Sequence, residues 1–473
     1  MKGSSQSKST GTLKRDLVNI LSEDSVLADA TDLLAYKNDA SWFMGNPGIV
    51  VLPRSTEEVQ KCMNYAYDNE IAIVPRGSGT GLSGGTVPAE GAIIIDLSRM
   101  NKILELDKDN LTIRVQPGVI TADIHRAVER EGLFYPPDPA SQGASTIGGN
   151  IATRAGGPRG VKYGTTKDYV LGLEAVVPPG KIIRYGGKVI KLSVGYEIGR
   201  LLIGSEGTLG IITEATLKLI PRPMYKKTML ISYSELATAT QTVSKLIASK
   251  IIPTTLELMD NVTVRAIEQF KKAGYPTDAD GLLLIECDGY KEKDVEEQIA
   301  IVIDACKSLG ATDIKIAENE EQAVQIWSGR RSMFAAYANS APTVISEDVT
   351  VPRTKVPHIV SAIKEISAKY GIRVGIGGHV GDGNMHPNYM VDKRNADEME
   401  RVEKACAEVA RAALEMGGVV SGEHGVGIAK AEYAMWQLGD TYVEYMKDLK
   451  KMFDPKNLMN PGKLWIENGG EEK

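Results

Sequence analysis

Apolar and polar positions change period several times along this chain. Between residues 13 and 38, Leu17, Ile20, Leu21, Leu33 and Leu34 recur at helical spacing and predict helix. From Gly48 the texture shifts to short apolar runs broken by glycine and proline. GIVVLPRS, IAIVPRG, AIIIDLS, LTIRVQPG, EAVVPPG and KIIRYGG read as strands. STEEVQKCMNYAYDNE reads as a helix opened by a Ser/Thr cap with Glu57 and Glu58 in its first turn, and TADIHRAVEREG as a shorter helix. After LIPRPMYKK the glycines thin out and strand–helix alternation begins: KKTMLISYS, LATATQTVSKLIASK, GLLLIECDGY, then KDVEEQIAIVIDACKSLG with Val295, Ile299, Val302, Ile303 and Cys306 on one stripe. TVISEDVTVPR and RVGIGGHVGDGNMHPNYMV bracket a further helix, residues 394–416 form a charged one, and a last helix stops at Pro455. This alternation predicts a single sheet with helices on one face.

Composition narrows the class. With 473 residues there is room for about three folding units. Lys plus Arg at 55 against Asp plus Glu at 61 gives a net charge of −6, with no block of like charge, which argues against nucleic acid as partner. No apolar run of about 18 residues exists to cross a membrane. The start, MKGSSQSKSTGTLKRD, lacks a signal-peptide core and reads as a polar, disordered lead. The four cysteines at 62, 287, 306 and 406 are too scattered for CxxC chemistry or an iron–sulfur motif. The expectation is a reduced chain in the cytoplasm.

Glycine, at 48 residues, is clustered. PRGSGTGLSGG contains GxGxxG at Gly79, Gly81 and Gly84, but TVPAEGAIIIDLS follows, a strand where a dinucleotide-binding unit needs a helix. No Lys-Ser/Thr follows either, so it is not a P-loop. What remains is a loop whose backbone N–H groups can wrap a pyrophosphate, or else a glycine-rich surface turn. YPPDPASQGASTIGGNIATRAGG, a long stretch of small residues read as non-helical, and LLIGSEGTLGIITEATLKL supply two more loops with little side-chain bulk. Three such loops suit a long, flat, polar ligand.

Histidine is rare, yet three of the five lie between positions 379 and 424. GGHVGDGNMHPN sets His379 and His386 on either side of a turn, and SGEHG supplies Glu423 and His424 between glycines. Two imidazoles and a carboxylate suit one divalent metal, Zn²⁺, Mn²⁺ or Fe²⁺, with positions left open. The plain alternative is three histidines capping turns. A metal with a neighbouring histidine fits a metallohydrolase, through metal-activated water, or a hydroxy-acid dehydrogenase, through an acidified substrate hydroxyl. The glycine loops favour the second.

PRGSGTGLSGG, PPDPAS, TIGGNIATRAGG and GSEGTLGIITEATLKL resemble the FAD-binding domain of the vanillyl-alcohol oxidase/p-cresol methylhydroxylase superfamily. More closely, from about residue 45 to 465, the chain resembles its branch of FAD-linked glycolate oxidases and D-lactate dehydrogenases. The resemblance implies an α+β chain: a polar lead and helix (1–44), a two-part FAD-binding domain (45–225), an α+β cap with one antiparallel sheet (226–415), and a C-terminal segment (416–473) that returns to the flavin. Pro75, Arg76, Gly77, Ser78, Gly79, Thr80 and Gly81 would cradle the pyrophosphate. Asp138, Ser141, Ser145, Gly148, Gly149, Asn150, Ala152 and Gly156 would line the cofactor. Glu206, Gly210 and Ile212 would flank its adenine side, with Asn460 in the returning turn. Thr80 stands where some relatives carry the histidine that bonds FAD, so non-covalent FAD is expected.

By the same resemblance His379, His386 and Glu423 bind the metal and His424 is the general base, a role its free pKa near 6.5 suits. Trp327 and Arg330 match a tryptophan–arginine pair, with Arg330 catalytic through its grip on the substrate carboxylate. Arg331 reads as a solvated neighbour, and His125 and His358 as structural. Ser346 stands where relatives acting on 2-hydroxyglutarate carry a lysine, which points to a short monocarboxylate. The implied activity is oxidation of D-lactate, or a similar short D-2-hydroxy acid, to the 2-oxo acid, with hydride to flavin N5. Electrons would pass to electron-transfer flavoprotein or to an iron–sulfur subunit, the latter as in a glycolate dehydrogenase. Rival expectations are a cell-wall-precursor reductase, which lacks the His/His/Glu set, an electron-transfer subunit without substrate, and the metallohydrolase.

Overall fold

The computed structural model describes residues 10–466; most of the polar lead expected at the start lies outside them. Strands Pro47–Val51, Ala92–Asp96 and Ile73–Arg76 run parallel, with Val26–Leu27 added antiparallel at one edge. Ile49, Val51, Ile93 and Ile95 bury one face of this sheet against helix Thr56–Asp68. That helix is capped as expected, the Ser55 side chain accepting from the Glu58 N–H and the Glu58 carboxylate accepting from the Arg54 N–H. A second, antiparallel sheet follows in the order Ile103–Asp107, Thr112–Val115, Ile211–Lys218, Val170–Val177, Lys181–Gly186. Val176 and Ile211 of this sheet join the core of the first one.

The cap is built on one sheet whose strand pairs are all antiparallel, in the order Asp313–Ile316, Tyr225–Tyr233, Gly281–Gly289, Thr255–Asp260, Arg373–His379, Asn384–Val391, Thr343–Ser346. Helices cover both faces rather than the single face expected. Met229, Ile231 and Tyr233 point to the layer of helices Leu236–Ala248, Glu292–Ser308, Val356–Lys369 and Ala396–Glu415. Leu230, Leu282, Leu284 and Met259 point the other way, onto Asn261–Lys271, Glu320–Arg331 and Met333–Ser340. The run GLLLIECD is buried at every position, as a strand covered on both sides must be.

Two other expectations change. The helix expected over 13–38 spans Thr10–Ile20 and then breaks, because Val26 and Leu27 pair with Val51 and Val50 at the sheet edge. The stretch read as non-helical contains helix Ile147–Thr153, opened by Thr146, whose Oγ1 accepts from the Gly149 N–H. After helix Ala431–Phe453 the chain turns back: the Ile73 N–H donates to Leu458 O and the Asn460 N–H to Ile73 O, so the last turn lies beside strand Ile73–Arg76.

Candidate functional site

A groove opens where the parallel strand Ile73–Arg76 ends, and all but two of the expected cofactor residues wall it. Pro75 to Gly81 form one side; Ser141, Ser145, Gly148, Gly149, Asn150, Ala152 and Gly156 form another; Glu206, Gly210 and Ile212 close the far end. The glycines are needed for closeness as well as for turning. A Cβ at Gly77 would sit 2.2 Å from Thr146 Oγ1, and Gly79 has φ +67°. Arg76 turns inward as a brace, donating to Thr86 Oγ1 at 3.2 Å and lying over the Tyr36 ring. Ser145, part of the groove wall, has its Oγ buried with no partner among the described residues. These features fit a pyrophosphate-bearing cofactor such as FAD.

The two exceptions stand behind the wall. Asp138 accepts from the Arg159 N–H at 3.1 Å and pairs with Arg159 Nε at 3.3 Å; burial raises its pKa to about 6 against the pull of that arginine. Asn460 donates to both Gly85 O (2.8 Å) and Glu206 O (2.7 Å), pinning two glycine loops together. Glu206 in turn accepts from the Val426 and Gly427 N–H groups at 2.7 and 2.8 Å, which fastens the C-terminal loop to the groove.

The close fit at Gly77 gives a first test of the cradle. In Gly77→Val the new side chain must displace Thr146 and with it the start of helix Ile147–Thr153, an overpacking cost of about 1–3 kcal/mol. Flavin content after gel filtration is expected to reflect binding weaker by about tenfold or more. Wild-type flavin retention would show that Gly77 is not under the cofactor.

Strand register brings the histidines together. Gly377 pairs with His386, so His379, two residues on, shares its face of the sheet. His379 Nε2 lies 3.0 Å and His386 Nε2 3.1 Å from the same oxygen, Glu423 Oε1, and the three possible ligand atoms fall within 4.8 Å of one another. Two imidazole nitrogens converging on one carboxylate oxygen mark where a cation fits, and the His, His, carboxylate donor set suits a divalent ion. Gly156 makes room for Glu423: a Cβ there would be 2.6 Å from Glu423 Oε2. Glu423 and His424 themselves wall the cofactor groove. His424 stacks on His386, with ring centroids 4.8 Å apart at 9°. Burial lowers its pKa to about 4, with Asp348 opposing, so the ring is neutral at pH 7. His379 behaves oppositely. Burial works against its charge, but Glu257 and Glu423 on either side raise its pKa well above the ordinary value.

Three residues central to this arrangement were missed by sequence reasoning. Asp348 is fully buried and accepts at Oδ2 from the N–H groups of Gly422, Glu423 and His424, each at 2.9 Å, and from Ser421 Oγ at 2.8 Å. Lys430, also buried, donates to Asp348 O and Val420 O. Glu257, inside an apolar strand, receives Arg330 and His379. The signal for Glu257 was present: a carboxylate flanked by leucines in TLEL cannot be buried without partners. Arg330, expected to grip the substrate carboxylate, is buried, and its Nε and Nη2 edge is already spent on Glu257. Trp327 donates to Glu286 Oε2 at 3.1 Å, and Arg331 is exposed. Ser346 pairs with Asn388, on the face that carries His386. His125 is held by Gln142 and Pro137 O, a structural role.

Comparison with known proteins agrees with this geometry. Residues 47–186 match the family model described as FAD binding domain, and residues 222–464 match FAD linked oxidases, C-terminal domain. Glycolate oxidase subunit GlcD of Bacillus subtilis (strain 168) is 48% identical over 463 residues, covering 97% of this chain and 98% of that one. D-lactate dehydrogenase of Anaerostipes hadrus is 38% identical over 427 residues, covering 88% and 89%. Among solved structures, p-cresol methylhydroxylase with substrate bound shares the fold at a TM-score of 0.82 and 18% identity, covering 98% of each chain. A glycine-walled groove beside an antiparallel sheet of this build, matched along nearly its whole length, places the chain in the FAD-linked oxidases, in the family that holds the glycolate oxidase subunit GlcD and D-lactate dehydrogenase.

Proposed function

We propose that this FAD-linked oxidoreductase oxidises D-lactate, or a similarly short D-2-hydroxy acid, to the 2-oxo acid. One observation carries the reading: Glu423 touches both histidines of the cation set and, with His424, walls the cofactor groove. Bound FAD supplies a two-electron acceptor, and a divalent ion at His379, His386 and Glu423 supplies a charge that acidifies the substrate hydroxyl. His424, neutral and adjacent, takes the hydroxyl proton. Its Nδ1 is walled in without a partner among the described residues, so Nε2 is the nitrogen left for substrate. Asp348 holds the 421–424 turn by its backbone, which fixes ligand and base relative to each other. Arg330 meets the substrate carboxylate with Nη1, the end not spent on Glu257. Ser346, short and uncharged and paired with Asn388, offers no charge of its own to a second carboxylate. A hydrolytic use of the metal set has no support in a chain of this family.

The electrons then leave through another protein. The Bacillus and Escherichia coli relatives are named as subunits, which favours a partner, and the four buried, unpaired cysteines offer no iron–sulfur relay. Electron-transfer flavoprotein is the favoured acceptor, an iron–sulfur subunit the second, and the cytoplasm the proposed place of meeting.

The deciding experiment is anaerobic mixing of the yellow protein with D-lactate, glycolate and D-2-hydroxyglutarate separately. Rapid bleaching by D-lactate is expected; bleaching only by glycolate would move the chain to the glycolate reading, and none by any of the three would overturn the proposal. Arg330→Lys tests the carboxylate grip. Losing a hydrogen bond between charged groups costs about 1.5–3 kcal/mol, so kcat/KM should fall by roughly 10- to 100-fold, with KM rising. Unchanged kinetics for D-lactate in Arg330→Ala would remove this arginine from the site.

A further inference from the structure

Glu257 belongs neither to the groove wall nor to the cation set, yet it joins the two halves of the site. It lies in strand Thr255–Asp260 with no exposed surface. Alternation sends Leu256 and Leu258 to one helical layer and Met259 to the other, and Glu257 shares the side of Met259, under helix Glu320–Arg331. Oε2 accepts from Arg330 Nε at 2.9 Å and lies 2.7 Å from Nη2. Oε1 lies 2.7 Å from His379 Nδ1. With the Arg330 guanidinium against Oε2 and no water-exposed surface, the carboxylate stands as the anionic half of a buried ion pair.

An ionised carboxylate has no hydrogen to give, so the proton in the bond to His379 sits on Nδ1. That leaves His379 Nε2 as the nitrogen for a cation, and Nε2 is the atom that faces Glu423. The other oxygen takes one edge of the Arg330 guanidinium and thereby sets which nitrogen, Nη1, remains for an anion. We infer that Glu257 is a positioning residue which couples metal binding to substrate-carboxylate recognition, by fixing the His379 tautomer with one oxygen and the Arg330 fork with the other. The inference rests on the proposed reading of His379 as a metal ligand. It also implies that Arg330 orients the substrate more than it attracts it, since its charge is already balanced.

The test uses the full-length FAD-loaded protein, stripped of divalent metal and titrated with Zn²⁺ and Co²⁺. Glu257→Gln keeps the volume but leaves one acceptor oxygen, so its amide N–H must face either Arg330 or the His379 N–H, donor against donor. Zn²⁺ affinity is expected to fall by about 10- to 100-fold, the Co²⁺ visible spectrum to change, and KM for D-lactate at saturating metal to rise. In the double variant Glu257→Gln/Arg330→Met the single oxygen is free to accept from His379. Metal affinity should then recover most of the loss while KM stays high, a pattern general destabilisation does not produce. Should Glu257→Gln fail to fold, Glu257→Asp keeps the charge but reaches only one partner, so either metal affinity or KM must shift. Wild-type metal affinity, Co²⁺ spectrum and KM in the variants would overturn the role of Glu257. Failure of the wild type itself to bind either ion would overturn the metal reading as well, and shows in the wild type alone.

Discussion

His386→Ala is expected to give a yellow protein that D-lactate no longer bleaches. His386 is one of two imidazoles aimed at Glu423 Oε1, and it does not wall the cofactor groove. Removing it leaves one imidazole and one carboxylate for the cation, too few for tight binding beside competing water. A divalent Lewis acid contributes several kcal/mol to a reaction that builds negative charge, and about 4 kcal/mol corresponds to roughly a thousandfold in rate. Stopped-flow flavin reduction should therefore fall by about three orders of magnitude, with flavin content unchanged and bound metal lost. The stack with His424 adds a second route of damage, since His424 would lose the ring it lies on. A metal-free variant that is still reduced at the wild-type rate would end the metal hypothesis.

His424→Gln should strike the same step while leaving the metal in place. The backbone N–H of residue 424 would still donate to Asp348, and glutamine nearly preserves the volume, so the turn and Glu423 stay where they are. What is lost is a neutral imidazole that stands beside the cation set and walls the groove. General-base catalysis contributes about 10²- to 10⁴-fold, so reduction of the flavin by D-lactate should slow by that much at unchanged metal content. The two variants thus separate by metal analysis: His386→Ala is slow and empty, His424→Gln slow and loaded. A His424→Gln protein within a few-fold of wild type would place the base on another residue.

Much of the architecture could be read from residue order. Alternation and glycine punctuation located most strands of the two sheets in the FAD part, missing the edge strands Val26–Leu27 and Ile103–Asp107, and the capped helix Thr56–Asp68 began at its predicted cap. The turn between His379 and His386 is a strand–turn–strand, as the glycine-flanked spacing required. Where prediction failed, a contact distant in sequence had intervened. The first helix was cut short by strand pairing at Val51, and the cap sheet acquired helices on its second face because three later helices, each unremarkable alone, return to Leu230, Leu282 and Leu284. Helix Ile147–Thr153 escaped because its glycines have poor intrinsic propensity; its Thr146 cap and packing over Val119 and Ile124 supply what propensity lacks.

Sequence alone determined which chemistry this protein can hold: loops without side chains to admit a long cofactor, and two imidazoles with a carboxylate in a chain otherwise poor in histidine. Those are properties of residue type and short-range spacing, and they survive without knowledge of the fold. The tertiary structure alone decided which charges meet. Glu257 and Arg330 are 73 positions apart, Asp348 and His424 are 76, and Glu206 and Gly427 are 221. No local pattern links such pairs, because burial of a carboxylate is stable only when donors arrive from elsewhere in the chain, and their arrival is set by sheet register and helix packing. That is why the groups expected to touch cofactor and metal were visible in sequence, while the carboxylates that hold those groups in place were not.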